Sequence, residues 1–226
     1  MLNDPKILFL AFVGGIIPSL LWLWFWMREE KDPEPKKVVT FVFIMGMISV
    51  IFVLPVQKFI QAHFTDANTQ LVLWALAEEI IKYLAVIIIL YRSGYIDEPM
   101  DWPIYLVTAA LGFAALENAL FLIKPLSLGQ DTVSLLTGQL RFLGATLLHT
   151  VASGLLGVSL GISIHKGGLI RKFYLLGGLI LATLLHSVFN FFIIRNNGND
   201  FLKVFALLWV VTIIVMLLYE KLRRMN

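Results

Sequence analysis

Two adjacent glutamates in the middle of an apolar run constrain most strongly what this chain can fold into. Glu78 and Glu79 stand in the run WALAEEIIKYLAVIII, and Lys82 follows one helical turn later. A carboxylate at the centre of a bilayer costs at least about 2.5 kcal/mol on insertion scales, so such residues face the interior of a helix bundle and mark functional sites. The run therefore predicts a membrane-spanning helix that carries polar side chains into a protein interior.

The composition agrees with a protein that crosses the membrane several times. The chain has 226 residues, of which 59% are hydrophobic and 15% are charged, which is more apolar than a soluble domain. The apolar runs are continuous rather than alternating, which predicts an all-α fold and not a β-barrel. The chain lacks cysteine, which excludes a thiol nucleophile, and its net charge of +3 gives no reason to expect a nucleic-acid partner.

Seven apolar segments are long enough to cross a bilayer, which takes about 20 residues of helix. We expect a single transmembrane domain over residues 1–226 that is built from these segments. They are residues 7–27, 38–60, 70–91, 103–123, 139–164, 173–194 and 201–219.

The distribution of basic residues predicts the orientation of the chain. With the N-terminus outside, the inside loops and tail carry eleven lysines and arginines, and the outside segments and helix ends carry six, with Arg141 among them. Positive residues accumulate on the cytoplasmic side of membrane proteins. We therefore expect the N-terminus outside and the C-terminus inside.

Three further apolar segments carry polar residues of their own. These are Glu117 with Asn118, His149, and His186 with Asn190 one turn later. At 1.5 Å per residue, Glu78 and His149 lie roughly 12 and 15 Å below the outer face. Glu117 and His186 come within roughly 10 Å of the same face from the opposite direction. The helices thus place their polar groups in one layer, which predicts that these groups meet.

The alternative interpretation is a structural ion pair between helices, which a single glutamate and Lys82 would satisfy. The second glutamate of the pair has no cation left over, so it needs a metal, a proton or a chemical role. A lone histidine or an isolated Glu–Asn pair would be as consistent with helix packing as with function. The coincidence of all these groups at one depth favours one buried functional site.

Carboxylates and histidines without cysteine form a ligand set suited to zinc or another divalent metal. A metal-bound water beside a glutamate base would hydrolyse an amide bond. A metal-free version, in which glutamates activate water and a His/Asn pair stabilises the oxyanion, uses the same residues. The HExxH pattern of common zinc proteases is absent, and no serine is marked as a nucleophile.

Four motifs together resemble the PrsW family of intramembrane proteases. They are AEEIIK, GFAALEN, LLHTVASGLLG and LLHSVFNFF, and DPEP in the first inner loop is similar to a further family feature. The resemblance spans roughly residues 10–195. This family belongs to the wider group that contains the Abi and CAAX-processing proteases, which is known for a Glu-Glu motif on one helix and histidine motifs on others.

The resemblance implies roles for the residues that match the motifs. Glu78 would be the general base for water, and Glu79 would support it, with Lys82. Glu117, His149 and His186 would be the metal ligands, for zinc or another divalent ion, with Asn118 as a supporting residue. Some members have aspartate where this chain has Asn190, and an asparagine there suits oxyanion stabilisation or orientation of His186 better than metal binding.

The resemblance also implies the substrate class and the compartment. We expect an intramembrane endopeptidase of a bacterial inner membrane that cuts a single-pass membrane-tethered protein at or near the outer face. The family performs the first (site-1) cleavage of an anti-sigma factor in a stress response. A CAAX-type prenyl-protein protease is the alternative substrate class, and a proton- or cation-coupled transporter is the alternative from another functional class.

Overall fold

The protein is described here from a computed structural model that covers residues 4–28, 34–90, 93–195 and 201–224. These residues form a bundle of long α-helices, and no strand occurs among them. The helices are α1 (Pro5–Arg28), α2 (Lys36–His63), α3 (Ala67–Leu90), α4 (Asp101–Ser127), α5 (Asp131–Leu140), α6 (Thr146–Ile162), α7 (Gly168–Arg195) and α8 (Phe201–Arg223). The predicted all-α fold is confirmed.

Of the seven predicted membrane-spanning helices, six are apolar enough to be recognised as spans in the described part of the structure, and the seventh is α3. In the described ranges, six helical segments are long and apolar enough to cross a membrane, and they contain α1, α2, α4, α6, α7 and α8. α3 has 24 residues but carries Glu78, Glu79 and Lys82 in its interior, so its charge exceeds that of an ordinary apolar span. The outside location of the N-terminus stays a prediction, because either orientation leaves the bundle the same.

The fifth span begins earlier than the sequence predicted. α5 continues through a π-helical segment (Arg141–Ala145) into α6, and the apolar span covers Leu135–Ile162 instead of residues 139–164. Arg141, predicted to belong to the outer segments and helix ends, lies inside this continuous helix. The difference arises because one charge within a long apolar helix looks like a helix end when its partner is unknown.

Two helices, α4 and α6, form the centre of the bundle. α4 packs against α1, α2 and α6, and α6 also packs against α7 and α8, whereas α3 packs mainly against α2 and α7. Most residues of α4 and α6 are buried, but few residues of α1 and α8 are, and the exposed residues of these two helices are mostly apolar, as expected for helices that face lipid. The central helices thus carry their polar side chains into a protein interior.

Glycines allow α2 and α4 to cross in close contact. A Cβ atom at Gly46 of α2 would overlap the carbonyl oxygen of Ala109, and one at Gly112 of α4 would overlap the carbonyl oxygen of Phe43. Small residues at such crossings let helix backbones approach one another in membranes. The crossing fixes α2 beside the helix that carries Glu117.

Part of the first inner loop lies outside the described residues. Asp32 and Pro33 of the DPEP feature are in this part, whereas Glu34 and Pro35 directly precede α2. The Glu34 carboxylate accepts a hydrogen bond from the hydroxyl group of Tyr105 on α4. This contact joins the described end of the loop to the central helix.

Candidate active site

Four helices bring the polar residues of the apolar segments together in the bundle interior. Glu78 and Glu79 come from α3, Glu117 from α4, His149 from α6 and His186 from α7. Glu79 is fully buried, and Glu78, His149 and His186 are at most 4% exposed. The sequence predicted that these residues would meet, and the structure places them in mutual contact.

Both carboxylate oxygens of Glu79 have hydrogen-bond partners within this cluster. Its Oε1 atom accepts from Lys82 Nζ over 2.5 Å and lies 3.0 Å from His186 Nδ1. Its Oε2 atom accepts from Ser153 Oγ over 2.9 Å. Lys82 thus pairs with Glu79, its neighbour at i,i+3, and leaves the carboxylate of Glu78 without that cation. A buried charge needs such a partner and hydrogen bonds to be tolerated.

The contacts of His186 determine which of its nitrogens carries the hydrogen. The carboxylate of Glu79, paired with an ammonium group, only accepts hydrogen bonds, so His186 donates to it from Nδ1. In the neutral ring this leaves a lone pair on Nε2. That nitrogen lies 3.6 Å from Glu78 Oε2.

The contacts of His149 also determine which nitrogen carries the hydrogen, and here it is Nε2 rather than Nδ1. Its Nε2 atom lies 3.2 Å from Glu117 Oε2, and its Nδ1 atom lies 3.3 Å from Lys82 Nζ. A carboxylate only accepts and an ammonium only donates, so the hydrogen is on Nε2 and the lone pair is on Nδ1. The same nitrogen lies 4.0 Å from Glu78 Oε2.

Glu78 differs from Glu79 because only one of its oxygens is satisfied. Gln57 of α2 donates from Nε2 to Glu78 Oε1 over 2.9 Å, and Trp74 Nε1 donates to the carbonyl oxygen of Gln57 over 3.1 Å. Glu78 Oε2 is buried and has no hydrogen-bond partner within the described part of the chain. A buried acceptor without a donor is costly and calls for an explanation.

Glu117 holds His149 but is itself held by an arginine. Arg141 Nη2 forms an ion pair with Glu117 Oε2, and Arg141 Nε donates to Asn118 Oδ1 over 2.6 Å. The amide group of Asn118 in turn donates to Thr146 Oγ1 over 2.8 Å. The side chains of Glu117 and Arg141 are 19% and 17% exposed, so this pair lies on an accessible side of the cluster.

Asn190 lies at the edge of the site. It is half-buried one turn after His186, and no described hydrogen bond joins it to Glu78, Glu79 or the two histidines. Its expected role in orienting His186 is filled in this structure by Glu79. A role toward an oxyanion stays a prediction.

The donor atoms fit a divalent metal better with Glu78 than with Glu117. Glu78, His149 and His186 each offer one ligand atom, and these atoms lie within 4.8 Å of one another. Ligands about 2.0–2.1 Å from a zinc ion lie a little over 3 Å apart in a tetrahedron, so a small contraction would bring them into place. Glu117, which the sequence reasoning proposed as a ligand, instead accepts from His149 and Arg141, as carboxylates behind metal-bound histidines do.

Three residues of the cluster were not identified from the sequence as part of the site. Arg141, Gln57 and Ser153 all contact its glutamates. Arg141 and Gln57 could have been identified because each is a charged or amide side chain within an apolar helix. Ser153 gave no such signal, because small hydroxyl residues are common at helix–helix contacts in membranes.

A comparison with known proteins places this cluster in a family context. A family model described as "PrsW family intramembrane metalloprotease" matches residues 34–218, which include every residue of the cluster. The chain is 28% identical over 186 residues to Protease PrsW of Shouchella clausii, covering 76% of this chain and 79% of the relative.

Two further relatives carry the same name. Protease PrsW of Oceanobacillus iheyensis is 26% identical over 213 residues, with 88% of this chain and 91% of the relative covered. Protease PrsW of Geobacillus kaustophilus is 29% identical over 140 residues, with 60% and 57% covered. No solved structure matches the chain. The apolar helices and these bacterial relatives identify a multi-pass protein of a bacterial membrane.

Proposed function

We propose a site, a mechanism and a substrate class for this chain, which belongs to the PrsW family of intramembrane metalloproteases and is a protease. The proposed site consists of Glu78, His149 and His186. The observation that carries the proposal is that three hydrogen-bond acceptors, one from each of these residues, face one another in a buried space. Of these three atoms Glu78 Oε2 has no donor among the described residues, and a cation, a proton or a water molecule between them would satisfy it.

A divalent metal is the group that best suits this space. Glu78 Oε2, His149 Nδ1 and His186 Nε2 would hold it, and the open position expected of a catalytic metal would remain for water. When bound, the metal would polarise the scissile carbonyl group and favour deprotonation of the water. Lys82 Nζ, 3.3 Å from His149 Nδ1, would have to give up that contact and keep its ion pair with Glu79.

The protein's own residues prepare the site for hydrolysis. Glu79 accepts a hydrogen bond from His186, and Glu117 accepts one from His149. The other nitrogen of each ring therefore carries a lone pair on the side of Glu78. Gln57 holds one oxygen of Glu78, and the other oxygen is directed at the histidines. Glu78 would bind the metal through Oε2, and the second lone pair of Oε1, beside the hydrogen bond from Gln57, would accept the proton of the attacking water. Asn190 would donate to the oxyanion.

A hydrolysis that uses Glu78 and the histidines without a metal is the second candidate mechanism. The contact between Lys82 Nζ and His149 Nδ1 favours it, because that nitrogen already accepts a hydrogen bond. In this mechanism Glu78 remains the base. The two mechanisms therefore differ in their need for a metal and agree on the residue that takes the proton.

The proposed substrate is a membrane-tethered protein, and we propose a single-pass anti-sigma factor cut at or near the outer face. The support is the family and the accessible side of the cluster at Glu117 and Arg141, which lie toward the end of α4 that the predicted topology places outside. In this proposal the substrate reaches the site from the side of Glu117 and Arg141.

The test is cleavage of a tethered reporter in vesicles that contain the purified protein. The reporter carries one transmembrane segment and an outer domain, and mass spectrometry maps the bond that is cut. The wild-type protein should release the outer domain, and Glu78→Gln should release at least about 100-fold less, as expected for loss of a general base. Lys124→Gln, a change at an exposed residue of α4, should cleave as the wild type does. Equal cleavage by Glu78→Gln would remove Glu78 as the base.

A further inference from the structure

Arg141 lies where the fifth span changes its helical form. It is the first residue of the π-helical segment Arg141–Ala145, which separates α5 from α6. Single π-helical turns inside α-helices occur frequently at functional sites. The position is eight residues, or about two turns, before His149 on the same continuous span.

The guanidinium group of Arg141 contacts three residues of α4. It pairs with Glu117, donates from Nε to Asn118 over 2.6 Å, and its central carbon lies 3.9 Å from the centre of the Phe121 ring. The planar group thus has an ion pair, a hydrogen bond and an aromatic face on one helix. An arginine held in this way keeps a fixed geometry that a lysine would not reproduce.

The ion pair of Arg141 leads directly to a histidine of the site. Glu117 uses the same oxygen, Oε2, to accept from Arg141 and to contact His149 Nε2 over 3.2 Å. Because Arg141 and His149 meet at the same oxygen, the ion pair fixes the direction in which Glu117 Oε2 faces the histidine ring. Without Arg141, Glu117 would lose its compensating charge in a partly buried place.

We propose that Arg141 is a positioning residue that acts through Glu117 to fix the ring and the tautomer of His149. It keeps the hydrogen on Nε2 and thereby keeps the Nδ1 lone pair directed at Glu78. The kinetic consequence of this inference rests on the proposed function, but the state of the histidine ring does not. The two can therefore be tested separately.

If Arg141 only stabilised the fold, its replacement would lower the thermal midpoint without a specific change at His149. The side chains of Glu117 and Arg141 are 19% and 17% exposed, so the Glu117 carboxylate keeps some access to solvent when Arg141 is replaced. Arg141→Gln should therefore fold, and its thermal midpoint in detergent should stay close to that of the wild type. The change should be seen at His149 instead.

The first experiment is ¹⁵N NMR of histidine-labelled, chelator-washed protein, with the His149 signals assigned from the His149→Gln variant. The wild-type ring should carry its hydrogen on Nε2. Arg141→Gln and Glu117→Gln should both change the His149 signals, and Arg141→Lys should restore them in part. Lys124→Gln should leave them unchanged. Wild-type His149 signals in Arg141→Gln would overturn the inference, and this result needs no activity.

The second experiment uses the kinetics of reporter cleavage. Arg141→Gln should lower kcat by about 10–100-fold, as replacement of groups behind metal-bound histidines does, with KM within about twofold. Because Arg141 acts through Glu117, the double variant Arg141→Gln/Glu117→Gln should be no slower than Glu117→Gln alone. Effects that multiply would show that Arg141 acts by another route and would overturn the inference. A wild type that cuts nothing while its His149 signals respond as expected would overturn the proposed function and leave the inference standing.

Discussion

His186 donates from Nδ1 to Glu79 Oε1 over 3.0 Å, although the two residues are 107 positions apart in the chain. The same carboxylate binds Lys82 and Ser153, so one buried group joins α3, α6 and α7. Glu79 thereby takes the role of an anchor, and the adjacent Glu78 keeps an oxygen without a hydrogen-bond donor among the described residues. The two neighbouring glutamates thus differ in their contacts. The contacts of Glu79 predict an effect on stability, and those of Glu78 predict an effect on catalysis.

The buried ion pair of Glu79 and Lys82 should be important for stability. Both side chains are fully buried, and Lys82→Met would leave the Glu79 carboxylate without a cation. Removal of one partner of a buried pair costs about 3–5 kcal/mol. We expect a loss of this size in the free energy of unfolding, measured by SDS titration. The double variant Glu79→Gln/Lys82→Met should lose much less, and an equal loss would contradict the pairing.

The hydrogen bond from Gln57 should affect catalysis more than stability. Gln57→Leu keeps the size of the side chain but removes the donor to Glu78 Oε1. A hydrogen bond to a charged group contributes about 1.5–3 kcal/mol, so we expect kcat to fall by about 10-fold or more. Lys58→Gln, at the next and exposed position of α2, is the matched control. A Gln57→Leu enzyme with wild-type kcat would show that Glu78 is positioned without it.

The close crossing of α2 and α4 should tolerate no side chain at its glycines. Gly112→Ala would place a methyl group against the backbone of α2 at Phe43 and push the helices apart. Overpacking of this kind costs about 1–3 kcal/mol. Gly177→Ala is the control, because no atom lies within 4 Å of a Cβ at that position of α7. Equal thermal stability of both variants would contradict the packing described here.

The sequence predicted the helices and the residues that meet, because these depend on local properties. The length of an apolar run sets the span, and the depth of a polar residue follows from its position within the run. Glu78, Glu117, His149 and His186 were therefore placed in one layer before any contact was known. The catalytic roles of these residues stay predictions.

The pairing of side chains could not be predicted from the sequence, because it depends on how the helices rotate against one another. Lys82 stands within reach of both glutamates on a helix, at i,i+3 and i,i+4, and only the packing of α3 against α7 selects Glu79. Likewise, Arg141 was counted among the outer segments and helix ends, because its partner Glu117 belongs to another helix. These pairings are the reason that Glu78 replaces Glu117 among the proposed metal ligands.

The central claim is that Glu78, His149 and His186 form one metal centre, and the metal content of the purified protein tests it most directly. The protein is washed with a chelator, saturated with zinc, freed of excess ion, and analysed by elemental mass spectrometry beside a His149→Ala/His186→Ala variant and Lys124→Gln. We predict about one zinc per chain in the wild type and in Lys124→Gln, as one catalytic site requires, and none in the histidine variant. A wild-type protein that cuts the tethered reporter but holds no metal would contradict the claim and leave Glu78 to activate water without a metal.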